Sequence, residues 1–228
     1  MKKNVLFLSL IAAIAIFTPA KAILVNIPDA NFRTKLQKLY PACFVGTQME
    51  TTCKDITSAT SLDVNSLYIA DLSGLEYFIN LKRLNCGNNK LTALPVLPIK
   101  LENLSYYVNG LISLPALPIS LKDMNCYGNK LIILPDLPTG LKRLDCVINQ
   151  LTNLPALPVG LQYLRCGDNP LKILPALPAS LQTLECFNNQ LTYLPNLPAN
   201  LQLLECGGNL LTNLPAFAFW LEGFMVFE

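Results

Sequence analysis

From Leu81 to Trp220 the apolar and polar positions recur every 20 residues, seven times without an insertion. Each copy reads L-x-x-L-x-C-x-x-N-x-L-x-x-L-P-x-L-P-x-x, with leucine at the first, eleventh and fourteenth positions of every copy, and at the fourth except for Met124. These are the inward positions. The stretch x-L-x-C alternates apolar and variable residues with period two, which predicts a short strand with one buried face. The following L-P-x-L-P can continue neither sheet nor helix, because proline lacks an amide donor and fixes φ, so an extended polyproline-like return is expected. A fixed short period means that each unit meets only its neighbours, which predicts a stacked solenoid with its strands aligned in a parallel sheet.

The invariant ninth position supplies the polar glue. Asn89, Asn109, Asn129, Asn149, Asn169, Asn189 and Asn209 each offer two donors and an acceptor, enough to satisfy backbone groups of adjoining turns. At the sixth position stand Cys86, Cys126, Cys146, Cys166, Cys186 and Cys206, with Tyr106 in the second copy. These cysteines are expected to face inward as small apolar residues. A zinc site is not expected, because zinc ligands converge on a point whereas a ladder with one thiol per strand is a line.

On this motif the chain resembles the leucine-rich-repeat family, and its Leu-Pro half resembles the short bacterial class of secreted or surface proteins. The resemblance implies a leucine-rich-repeat solenoid with the parallel sheet on a concave face that binds protein ligands, and an extended convex side. Leu62 to Leu72 reads as an earlier, atypical unit of 22 residues in which Leu67 replaces the asparagine, as expected of a terminal repeat.

The flanks differ in composition. Lys2 and Lys3 precede a 13-residue apolar run, Val5 to Phe17, and then Pro19 and Ala20-Lys21-Ala22, the pattern of a secretory signal cleaved after Ala22. That run is shorter than the roughly 20 residues of a membrane span, so export to the medium or cell surface is expected. Residues 23–60 are expected to form an amino-terminal cap containing a short amphipathic helix, started by Pro28 and Asp29 and stopped by Pro41. Cys43 and Cys53 lie in this cap, where a disulfide suits an exported protein. The repeats run over 61–220. Residues 221–228 match the start of another copy, so they are expected to form an uncapped edge strand, at which Phe217, Phe219 and Trp220 fold over the last core layer as a cap, or the molecule continues or self-associates.

Charge and chemistry narrow the function. Without the leader, 14 basic residues face 15 acidic ones, which gives no reason to expect nucleic acid or an anionic membrane as partner. The chain has no histidine, the usual base of Ser and Cys nucleophiles, and no phosphate loop, so neither enzymatic activity nor a cofactor or metal is expected. Protein recognition is expected at the variable second, third, fifth, seventh and eighth positions, the alternatives being a structural or adhesive envelope protein or a repeat fragment of a larger secreted effector. The candidate contact residues are Arg83, Tyr107, Asp123, Tyr127, Arg143, Val147, Tyr163, Arg165 and Phe187, in which Tyr107, Tyr127 and Val147 should form an exposed apolar row ringed by charge.

Overall fold

The computed structural model describes residues 23–213. The expected leader, the last residues of the seventh copy and the expected edge strand at 221–228 lie outside the described residues. A small cap comes first: strand β1 (Leu24–Asn26), helix α1 (Ala30–Leu39), strands β2 (Phe44–Val45) and β3 (Gln48–Glu50), and helix α2 (Lys54–Ser58). Asp29 caps α1, its Oδ1 accepting from the amides of Asn31 and Phe32 at 2.9 Å, while Phe32 and Leu36, one turn apart, turn inward. Its Oδ2 accepts from the Ala70 amide at 2.7 Å, which ties the cap to the first repeat. The cap is more than the expected helix, since β1, β3 and β2 pair antiparallel beside it. A disulfide joins Cys43 to Cys53.

Eight parallel strands follow in strict chain order: β4 (Ser61–Asp63), β5 (Arg83–Asn85), β6 (Asn103–Ser105), β7 (Asp123–Asn125), β8 (Arg143–Asp145), β9 (Tyr163–Arg165), β10 (Thr183–Glu185) and β11 (Leu203–Glu205). Registers step by one whole copy, Leu144 facing Leu164 and Leu164 facing Leu184, except that Leu62 faces Leu84 across the longer first unit. Each strand is only three residues long because the eighth position is left-handed in every complete copy, from Asn88 (φ 49°) to Gly208 (φ 66°). Glycine adopts this conformation freely, whereas Val108 (φ 48°) and Ile148 (φ 55°) adopt it against the clash of a branched Cβ.

The return is closed by proline. In each of the copies from Pro98 to Pro198 the second proline's carbonyl accepts from the leucine amide that opens the next copy, as in Leu141 to Pro138 at 3.0 Å. The first, fourth and sixth positions are buried throughout, giving one continuous apolar column. The six repeat cysteines are free and buried, and burial pushes the thiols of Cys86 and Cys126 up to about 12. Tyr106 fills the same column, and its buried hydroxyl has no hydrogen-bond partner.

The asparagines stitch adjoining copies. Asn149 Oδ1 accepts from the Leu131 amide at 3.1 Å, and its Nδ2 donates to the carbonyls of Cys126, Cys146 and Val147. The pattern repeats from Asn109 through Asn209. In the first unit Asn89 accepts from the amides of Leu67 and Ile69, serving the turn in which leucine replaces asparagine. Among the described residues no helix is long and apolar enough to cross a membrane.

Candidate functional site

Because the fourth residue of each copy points inward, the third and fifth point out of the sheet on the opposite face. They line a groove from β4 to β9, its floor formed by residues such as Asn85, Asn103, Ser105 and Asn125. Fifth-position Asn and Asp side chains also terminate their own strands: Asn125 accepts from the Tyr127 amide and Asp145 from the Val147 amide.

At the carboxyl-terminal end of the groove the charges satisfy one another. Arg165 donates to Asp145 at 2.8 Å on one side and Glu185 at 2.5 Å on the other, and Tyr163 donates to Glu185 at 3.3 Å. Burial opposes the charge on Arg165, but the Glu185 hydrogen bond and the two carboxylates more than offset this and raise its pKa. The Tyr163 hydroxyl is raised by burial and then by the Glu185 charge. Arg143 stacks on the Tyr163 ring, its guanidinium carbon 4.2 Å from the centroid, with Nε 3.5 Å from Asp123. Asn103 donates to the other oxygen of Asp123 at 2.7 Å. Beside the strands, Glu102 pairs with Lys122 at 2.6 Å and with Lys82 at 3.5 Å, and the Lys122 hydrogen bond holds its carboxyl below the usual range.

Among the described residues the one grouping of metal-ligating type is Cys43, Cys53 and Asp55, whose two sulfurs are bonded to each other. The groove is thus broad and lined by charged and polar side chains that hold one another in place.

The described fold can be set beside solved structures. The chain is similar to the leucine-rich-repeat domain of a Shigella effector, with 30% identity and a TM-score of 0.62 over 68% of this chain and 72% of that one. The chain belongs to the leucine-rich-repeat family. This leucine-rich-repeat protein is also similar to the effector YopM of Yersinia pestis, at 27% identity and TM-score 0.60, covering 84% of this chain and 65% of that one. The functional domain of InlJ from Listeria monocytogenes, which includes a cysteine ladder, shares the fold at 24% identity and TM-score 0.58, over 82% and 52% of the two chains. This chain thus spans less than two thirds of the length of the latter two. No protein-family model matches it, and no curated protein does so significantly.

On this leucine-rich-repeat scaffold the sequence-derived candidates divide into two groups. Asp123, Arg143, Tyr163 and Arg165 come together on β7 to β9, and Arg83 stands on β5 at the amino-terminal end of the same groove. Tyr107, Tyr127, Val147 and Phe187 lie past the strand ends, immediately before the left-handed residue. Two of these side chains are turned along the stack: Tyr107 lies over Gly87 and Phe187 over Gly167, in space that a Cβ on either glycine would fill. Val147 is only 2% exposed, which corrects the expectation of a continuous exposed row; Val108 and Ile148 remain exposed beside it. Sequence reasoning missed Glu185, now 8% exposed beneath Tyr163 and Arg165. The signal was present, since Asp145, Arg165 and Glu185 alternate in sign at one repeat position.

Proposed function

We propose that this protein is exported and that its concave sheet recognises a protein ligand without catalysing a reaction. The observation that carries this reading is the pre-organised groove, in which charged and aromatic side chains from successive strands are held by one another instead of by the core. Such side chains lose little rotamer freedom on binding, and aromatic residues with arginine are the commonest energetic anchors of protein interfaces. In this reading Arg83, Asp123, Arg143 and Tyr163 contact the ligand, Arg165 positions Tyr163, and Tyr107, Tyr127 and Phe187 frame one margin. Export is supported by the leader-like segment and by a cap closed by a disulfide, a bond that persists in oxidising compartments. The bacterial effectors that share the fold are consistent with recognition.

Ser105 gives a clean test, because it lines the groove and its hydroxyl makes no hydrogen bond among the described residues. Ser105→Trp should obstruct the groove and weaken binding of a protein partner by at least about 2 kcal/mol, the scale of an interface anchor. Val159→Trp, on the convex side at a residue 87% exposed, should leave it unchanged. Equal effects of the two, measured by calorimetry, would remove the concave sheet as the binding face.

A further inference from the structure

Third-position residues of consecutive copies stand side by side, so Arg83, Asn103, Asp123 and Arg143 form one row across β5 to β8. The two arginines at its ends differ from Arg165. Arg143 is fixed by its stack on Tyr163, yet its side chain is 59% exposed, and its terminal amino groups donate to no acceptor among the described residues. Arg83 is exposed and makes neither an ion pair nor a side-chain hydrogen bond among the described residues. Arg165 by contrast has a carboxylate on each side. A guanidinium with an open fork is a bidentate receptor for carboxylate. Within the groove Arg83, Arg143 and Arg165 stand against Asp63, Asp123, Asp145 and Glu185, and the second-position row alongside adds Lys82, Lys122 and Lys142 against Glu102, which leaves a small excess of positive charge near the two open guanidinium groups.

We infer that the groove receives an extended acidic protein segment that crosses the strands, with two carboxylates four residues apart, one on Arg83 and one on Arg143. The inference rests on the concave sheet being a protein-binding face and names the chemistry of its partner. Three interstrand steps of about 4.8 Å separate the arginines by roughly 14 Å, and four residues of extended chain at about 3.4 Å each span the same distance. In an extended chain residues i, i+2 and i+4 point to the same side, so the central one faces Asn103 and Asp123. Asp123 is already engaged by Asn103 and sits near Arg143. Its carboxylate repels an acid at i+2 and suits a hydroxyl or amide there, which sets register by exclusion as well as by attraction.

The test uses the purified chain and two fluorescent Ser/Thr peptides of equal charge at physiological salt. One carries glutamates four residues apart, the other two apart. Fluorescence anisotropy should show the first binding about tenfold more tightly, the worth of one charge-assisted hydrogen bond. Arg83→Gln and Arg143→Gln should each abolish that preference, with the thermal midpoint unchanged. Equal affinity for the two peptides, absence of binding, or a preference that survives both substitutions would overturn the inference. If that occurs while Ser105→Trp still blocks a protein partner, the acidic segment fails alone and the recognition face stands.

Discussion

The side-chain amide of Asn149 donates to the carbonyl of Cys126, 23 residues earlier in the chain, at 3.0 Å. That bond, repeated copy by copy, adds to the backbone bonds that continue between copies past the three-residue strand, such as that from the Gly128 amide to the Val147 carbonyl at 2.9 Å, and reaches the Cys126 carbonyl, which accepts no backbone amide. Asn149→Ala would leave the Leu131 amide without a partner in a buried turn, while the carbonyls of Cys126, Cys146 and Val147 would each lose one of two donors and keep Asn129, Asn169 and the Gly128 amide respectively. A loss of about 2 kcal/mol is expected, the cost of one unsatisfied buried amide. Urea unfolding followed by circular dichroism measures it, and a loss below about 1 kcal/mol would show that water replaces the amide.

Ile148 works against the same turn. Its φ of 55° is unfavourable for a β-branched residue, and at 44% exposure its side chain contributes little to the core. Ile148→Asn, which places there the residue found at Asn88 and Asn188, should stabilise the protein by about 1 kcal/mol. An unchanged or lower urea midpoint would mean that the strain is relieved elsewhere.

The cysteine column predicts a pH dependence of definite sign. Burial pushes the Cys126 thiol up to about 12, whereas an unfolded thiol ionises near 8.5. Between those values the unfolded state loses the proton first, so stability falls as pH rises, by about 1.4 kcal/mol per pH unit for each such thiol. The decline should begin above about pH 8.5 and be shallower by that amount in Cys126→Ala. Parallel stability curves for the two proteins from pH 9 to pH 10.5 would place Cys126 in contact with solvent.

Export is tested by the amino terminus of the protein recovered outside the cell. Sequencing should give Ile23 as the first residue, the position after Ala22. Recovery of exported chains that begin at Met1 would instead favour retention of the apolar segment.

How much was legible varied with whether position alone determined a residue's surroundings. Leu84, Cys86 and Asn89 recur at fixed spacing, so their burial and bonding followed from the period. Asp29 and Pro41 bracketed α1 by cap chemistry and by the missing proline donor. The antiparallel strands of the cap were not legible, because Phe44–Val45 and Gln48–Glu50 are too short to display an alternation. The seventh position misled for a different reason. Two of its side chains, Tyr107 and Phe187, run along the stack, so their exposure depends on the neighbouring copy: Tyr107 lies flat because Gly87 leaves room. Val147 follows Tyr127 in the same row and is shielded, and no pattern within its own repeat discloses that.

Site-specific photocross-linking in the producing cell tests the central claim most directly, since it captures a ligand whatever its identity. A benzophenone amino acid placed at Ser105 on the sheet face should form a discrete adduct with another protein, and the same probe at Ile119 or Val159 on the convex side should not. Adducts confined to the convex positions, or arising equally from both faces, would contradict recognition through the concave sheet.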